Sequence, residues 1–250
     1  MQAGLLRGSL RKTAMRIGLR RGARYDIKIG NILLRCRFGD NATESGVLMR
    51  GVGSNHRGLA QLLGVLSPGD VFIDVGANFG LFTTLAADTV GPSGCVIAIE
   101  PTPAMISRLT FNMKANRFTN IIVFEAAVGD VSGTAVLNVL NGNYGRSSLE
   151  PRAVCLRSIP VRMMTLAEVV GIARVDRIDA LKIDVEGFED KALLPYISLM
   201  PQAMWPRHIL IELVHSQAWR TNCIQALGAA GYQQVWTDGR DSLMKLKHRS

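Results

Sequence analysis

Apolar and polar positions along this chain change their period several times, and each change marks an element. From Tyr25 to Phe38, "YDIKIGNILLRCRF" alternates and then turns apolar, which predicts a short hairpin. "SGVLMRGVGSNHRGLAQLLGVL" reads as turns followed by a helix from about His56 to Leu66. From Val71 the pattern becomes regular. "VFIDV" is a nearly continuous apolar run, as expected of a strand covered on both faces. "LFTTLAADTV" follows as a helix, "GCVIAIE" as a second buried strand, and "PAMISRLTFNMKANR" as a helix opened by proline. "NIIVFEAAV" is a third strand, and Thr165 and Glu168 bracket a T-x-x-E capping box at the start of a short helix. "DALKIDVEG" and "HILIELV" are two more buried strands, separated by a helix in "FEDKALLPYISLM". A helix over 217–230 and two β-rich runs joined at Asp238-Gly239 close the chain.

Alternating strands and helices imply an α/β fold with a mostly parallel sheet, helices on both faces and a terminal antiparallel strand. In open sheets of this kind ligands bind beyond the carboxyl ends of the strands. Asp74–Gly80, Glu100, Glu125, Asp184–Gly187 and Glu212–His215 all fall at such ends. "NGNYGRSSL", Asn141 to Leu149, reads as a loop that either closes over the site or simply connects.

Composition narrows the class. With 48% hydrophobic residues the chain can bury a sizeable core, yet no apolar run is long enough to span a bilayer. The four cysteines lie far apart, without CxxC or zinc spacing, and read as reduced thiols with no metal site. Charge is uneven: Arg7, Arg11, Lys12, Arg16, Arg20, Arg21 and Arg24 account for seven of the net +9, leaving +2 beyond them. Residues 1–24 are therefore read as a basic arm, either a solvated leader or a peripheral contact with anionic lipid. Residues 25–250 are read as one domain, with a hairpin and helix over 25–67 ahead of a cofactor-binding core over 68–250. The expected location is the cytoplasm, with the arm as the one route to a membrane. Asn41-Ala42-Thr43 forms a glycosylation sequon, which is discounted because nothing else indicates secretion.

The stretch "VFIDVGANFG" carries the first chemistry. Its glycines stand four apart, so it is not the dinucleotide fingerprint, whose middle glycine admits a pyrophosphate; that position is Asn78. A nicotinamide-dependent oxidoreductase is disfavoured for this reason. Gly76 and Gly80 still allow a tight turn and close backbone approach. Asp74 offers a carboxylate to a ligand ammonium, and Glu100, at the next strand end, can accept both hydroxyls of a ribose. Ammonium, ribose and no pyrophosphate together describe S-adenosylmethionine.

At "PGDVFIDVGANFGLF", "AIEPTPAM", "FEAAVGDVSGTAVL" and above all "LKIDVEGFED", the chain resembles the FkbM family of S-adenosylmethionine-dependent methyltransferases, over about Pro68 to Leu213. The resemblance implies a class I methyltransferase fold, a seven-stranded sheet whose last strand is antiparallel. It also implies methyl transfer, usually to a hydroxyl of a sugar or polyketide. Asp74, Gly76, Ala77, Asn78 and Gly80 would line the methionine end of the cofactor, Glu100 and Pro101 the ribose, and Glu125 and Ala126 the adenine.

"KIDVEG" and "IELVHSQAW" carry the second. Asp184 and Glu186 share one side of a strand by the two-residue period and would face the cofactor. Asp184 reads either as a carboxylate that orients or deprotonates the acceptor hydroxyl, or as a helix N-cap. Glu186 reads as an orienting group or as a charge at the helix's positive end. Lys182 pairs with a neighbouring carboxylate and is not called catalytic. His215 is either a general base, a role suited to histidine near neutral pH, or a capping residue. Glu212 could join Asp184 around magnesium, though no spacing signal supports a metal. The acceptor is expected to be a small molecule or glycan. A nucleic-acid methyltransferase is the alternative, disfavoured by the missing [N/D]PP[Y/F/W] motif and the weakly charged domain. A non-catalytic S-adenosylmethionine-binding module is opposed by the intact Asp184 and Glu186.

Overall fold

The computed structural model describes residues 18–52, 57–140, 143–149 and 157–247. Most of the basic arm, Cys155, His56 and His248 lie outside these residues. The chain opens with a hairpin, β1 (Arg24–Ile29) and β2 (Ile32–Arg37), paired antiparallel. Ile32, Leu34 and Cys36 bury one face of β2. The outward amides of β2 would be left without partners at a sheet edge. Side chains take them instead: Leu33 donates to Asn116 Oδ1, Arg35 to Asn112 Oδ1 and Arg37 to Glu44 Oε1, each at 2.8 Å.

The stretch after the hairpin, read from sequence as turns, is the helix α1 (Ala42–Arg50). Asn41 starts it by accepting from the Thr43 and Glu44 amides at 2.8 and 3.2 Å. The asparagine weighed as a sequon is thus a buried cap. Its weak local signal was outranked by the Gly46 and Gly51 pattern around it. Helix α2 (Arg57–Leu63) follows.

The central sheet runs β5 (Ile121–Phe124), β4 (Cys95–Ile99), β3 (Val71–Val75), β10 (Ala180–Ile183), β11 (His208–Glu212), β13 (Asp241–Leu246), β12 (Tyr232–Thr237). All pairings are parallel except those of β13, which is antiparallel to both neighbours. Every residue of β3 and β10 is buried, which explains their unbroken apolar pattern. Helices α3 (Leu81–Val90) and α4 (Pro103–Ala115) follow β3 and β4, and α6 (Glu189–Leu199) follows β10. The chain leaves β3 toward one side of the sheet, while β10 and β11 fill the other. The crevice between β3 and β10 is therefore the topological switch point where such sheets hold ligands.

Between β5 and β10 the chain builds a second, four-stranded sheet: β6 (Ala127–Val128), β9 (Arg157–Met164), β7 (Gly133–Leu140) and β8 (Asn143–Ser148). The single strand expected over "NIIVFEAAV" is thus two, broken at Glu125 and Ala126, with its second half paired to Met163 and Met164. The loop expected within Asn141–Leu149 contains strand β8. Ala127, Leu137, Val139 and Val161 form a small core of its own. Helix α5 (Leu166–Ala173) takes half of the expected capping box: Thr165 Oγ1 accepts from the Glu168 amide at 3.1 Å. The Glu168 carboxylate turns to Ser132 and Arg162, and Ser132 Oγ accepts from the Thr165 amide instead. The helix expected over 217–230 shortens to α7 (Cys223–Ala229), capped by Asn222, after a single helical turn at Ser216–Ala218. Cys36, Cys95 and Cys223 are free thiols.

Candidate active site

Gly76 ends β3 with φ 78°. A Cβ there would stand 2.0 Å from the Asp184 carbonyl oxygen, so the glycine lets two strand ends touch. The close approach read from sequence as one toward a ligand is first an approach of protein to protein. Beneath it lies Lys182, the register partner of Asp74. Its Nζ is 2.8 Å from Gly76 O, 3.4 Å from Asp74 Oδ1 and 3.8 Å from Asp184 Oδ2. Burial works against its charge, but Asp74, Asp184 and Glu212 outweigh it and raise the pKa above the ordinary lysine value. Lys182 is thus a fixed cation that joins the two turns.

Asp74 is used up in this arrangement. It is fully buried, accepts from Thr83 Oγ1 at 2.6 Å, and faces Lys182. Asp74 does not line the cleft, and the cation it faces is Lys182 rather than the ligand ammonium expected of it. Ala77 and Gly80 also turn inward. Ala77 packs with Ala98 and Leu109, and Gly80, at φ 93°, meets the Leu109 side chain as the N-cap of α3. Asn78 stands in the left-handed region at φ 54°. Its Oδ1 accepts from Asn41 Nδ2 at 2.6 Å and from the Phe79 amide at 2.9 Å.

Above these residues opens a cleft of about 590 Å³, counting the open solvent at its mouth. Gly76, Asn78, Glu100, Pro101 and Thr102 form its polar wall, and Ile99, Ala126, Val128 and Leu137 its apolar one. Glu100 is held by the Asn78 and Thr102 amides, each at 2.9 Å, one on either oxygen. The Thr102 side chain adds a third hydrogen bond, which leaves the carboxylate acceptor capacity for a ligand hydroxyl. Burial raises its pKa, against the pull of those hydrogen bonds. Glu125 is exposed and outside the cleft, because the strand breaks there and turns it outward. The second-sheet residues Val128 and Leu137 join the wall unannounced by any motif; only the strand pattern of "SGTAVL" hinted at them.

A second cavity, about 1170 Å³ counting the open solvent at its mouth, adjoins the first and shares Asn78, Asp184 and Glu186 with it. Lys182, Glu212, His215, Asp241 and Arg50 contribute to its wall. Strand β10 stops at Ile183, so the expected strand side for Asp184 and Glu186 does not exist. They sit instead in a turn where Glu186 has φ 59°, a conformation that favours glycine. Both nevertheless reach the shared boundary. Asp184 is no helix cap, since α6 begins at Glu189 after Phe188.

Glu189, which the sequence did not single out, holds the turn in place. Its carboxylate accepts from the Val185 and Gly187 amides at 2.9 and 3.1 Å and from Trp219 Nε1 at 2.6 Å. Asp190 beside it accepts from the Arg220 and Thr221 amides at 2.8 and 3.2 Å. The first turn of α6 therefore fixes two segments, one bearing Glu186 and the other His215. They meet with Nε2 of His215 2.9 Å from Oε2 of Glu186.

Glu212 faces Asp241 across the antiparallel pair. Burial first, then the charges of Asp184, Glu186, Glu189 and Asp241, push its pKa up to about 10. It is thus protonated at neutral pH and cannot serve as a base there. Burial and Asp184 likewise raise Asp241 to about 6. Asp184, Glu189 and Glu212 bring one oxygen each within 4.8 Å of one another. The Glu189 oxygens already hold two amides and an indole, so we assign no metal.

The sheet order, with one antiparallel strand next to its edge, a switch-point cleft and an acidic residue after the second central strand, defines a class I methyltransferase. The methyltransferase FkbM domain matches residues 74–222, and the chain belongs to the FkbM family of S-adenosylmethionine-dependent methyltransferases. It is 29% identical over 171 residues to the 31-O-demethyl-FK506 methyltransferase FkbM of Streptomyces tacrolimicus, covering 57% of this chain and 64% of that protein. The chain thus spans less than two thirds of that relative. A solved FkbM methyltransferase from Methylobacillus flagellatus is similar at 13% identity and TM-score 0.45, covering 98% of this chain and 60% of that one. A putative rRNA methylase from Clostridium thermocellum is similar at 10% identity and TM-score 0.48, covering 77% and 96%. One fold hosts many acceptors, so the architecture gives no support to the expected exclusion of nucleic acid. Among the described residues no helix is long and apolar enough to cross a membrane.

The chemistry of the first cleft suits S-adenosylmethionine, the family's cofactor: Glu100 has acceptor capacity for a ribose hydroxyl, and the apolar wall matches a base.

Proposed function

We propose that this chain methylates a hydroxyl of a sugar, glycolipid or polyketide-type acceptor. The observation that carries this reading is the boundary shared by the two cavities at Asn78, Asp184 and Glu186. A donor in one and an acceptor in the other meet there. S-adenosylmethionine supplies an electrophilic methyl carbon on a sulfonium. The protein's task is to align an oxygen with it and remove a proton. His215, its Nε2–H paired to Glu186, takes the hydroxyl proton on Nδ1, and Glu186 stabilises the imidazolium that forms. Asp184, 40% exposed at its side chain, accepts a hydrogen bond from the acceptor and orients it. The second cavity offers carboxylate oxygens at Asp184, Glu186 and Asp241, which match a ligand rich in hydroxyl donors.

The test is transfer of a labelled methyl group into fractionated extract, with the glycan, lipid and RNA fractions counted separately. Label in a glycan or lipid fraction, resistant to base, supports an ether product. Label confined to RNA overturns the acceptor assignment, and no label in any fraction despite S-adenosylhomocysteine binding favours a non-catalytic module.

A further inference from the structure

A third cavity lies away from the rim, between the outer face of the hairpin and helix α4. It measures about 750 Å³, counting the open solvent at its mouth, and shares no lining residue with the other two. Arg24, Arg35, Arg37 and Arg108 line it, with Phe111 and a single acid, Glu44. Two of the arginines are accounted for by the fold. Arg35 grips Asp26 through two hydrogen bonds, at 2.6 and 2.8 Å, and stacks 4.0 Å over the Phe111 ring. Arg108 grips Asp40 and Glu44.

Arg37 shares Asp40 with Arg108, and no acid among the described residues pairs with Arg24. Arg24 and Arg37 are register partners across the hairpin, so two cations face each other on one side of a two-stranded sheet. Like charges directly opposite destabilise a sheet. Asp40 stands 3.3 Å from Arg37 Nε, yet that atom is buried with no hydrogen-bond partner among the described residues. Arg20 and Arg21 are exposed just ahead in the chain and add to the positive charge. Two guanidinium groups facing each other across the hairpin match the geometry of a phosphate group.

We propose that this cavity binds a phosphate-bearing anion, held between Arg24 and Arg37. The same chemistry is offered by a soluble phosphate ester and by an anionic lipid headgroup. Calorimetry of the full chain with inorganic pyrophosphate, and co-sedimentation with phosphatidylcholine vesicles with and without phosphatidic acid, distinguish the two. Saturable pyrophosphate binding that weakens at least tenfold in Arg24→Ser supports a soluble ester. Vesicle binding that needs phosphatidic acid and falls tenfold in the same variant, without pyrophosphate binding, supports a headgroup. Lys28→Ser removes an exposed charge of β1 outside the cavity and is the control. Unchanged S-adenosylhomocysteine affinity shows that both variants fold. Equal weakening by Lys28→Ser, or no loss in Arg24→Ser, reduces the effect to diffuse attraction and overturns the proposal, as does the absence of binding in both assays.

Discussion

Through the end of β3 the chain runs Asp74-Val75-Gly76-Ala77-Asn78, and after β10 it runs Asp184-Val185-Glu186-Gly187. Both stretches put an aspartate and a glycine at the end of a buried strand, and the two turns touch. In the first, the polar groups face inward: Asp74 engages Thr83 and Lys182, Asn78 engages Asn41, and only the backbone and Glu100 remain for a ligand. In the second, Asp184 stays 40% exposed and Glu186 meets His215 at the cavity wall. Similar residues at similar positions thus divide into scaffold and chemistry. Burial makes the division: Lys182 stands near both aspartates, but Asp74 is fully buried beside it while Asp184 keeps an exposed face.

The largest expected effect lies in the second turn. His215→Asn removes the proposed base while keeping a hydrogen-bonding side chain, and turnover should fall by about 10²–10⁴-fold with S-adenosylhomocysteine affinity unchanged. Near-normal turnover in that variant would move the proton to Asp184 and make His215 part of the scaffold. Glu212→Gln tests the other acid of this region through pH. The folded state keeps the Glu212 proton up to about pH 10, whereas the unfolded chain loses it near its ordinary value. Its raised pKa therefore favours folding most at low pH, and this contribution is lost as pH rises toward 10. The stability of the natural protein should decline by up to about 1.4 kcal/mol per pH unit above neutrality from this group. Glu212→Gln should flatten the decline in urea titrations at pH 7 and 9 and keep most activity. Loss of activity restored by added magnesium would instead indicate a metal ligand.

The first turn should respond in binding and stability rather than in chemistry. Glu100→Ala should weaken S-adenosylhomocysteine by about 1.5–3 kcal/mol in calorimetry, while turnover at saturating cofactor is retained. Unchanged affinity would remove the ribose assignment. The smallest effect is expected of Asn41→Ala, which loses the cap of α1 and should cost about 1 kcal/mol of stability. Turnover that collapses along with it would show that the Asn41–Asn78 bond also shapes the boundary between the cavities.

The parallel strands and the rim were legible in the sequence because burial on both faces writes continuous apolar runs, and a polar residue ending such a run has few other places to go. The division of labour along the rim was not. Whether Asp74 meets a ligand or Lys182 depends on a register between β3 and β10, strands far apart in the chain. Glu189 escaped notice because an acid in the first turn of a helix looks like ordinary dipole complementation, and its partners Trp219 and Gly187 belong to separate segments. The second sheet was hidden for a different reason: β8 is made of "NYGRSS", whose composition is that of a turn, and only pairing with β7 makes it a strand.

The bond between Trp219 and Glu189 has a practical consequence. An indole N–H donating to a buried carboxylate gives the tryptophan an environment that changes whenever the clamp on the His215 segment loosens. The chain has three tryptophans, and Trp205 donates instead to the backbone carbonyl of Met200. Trp219 is therefore a built-in optical probe of the rim. Its emission should report the arrival of an acceptor in real time, without a label and without waiting for product.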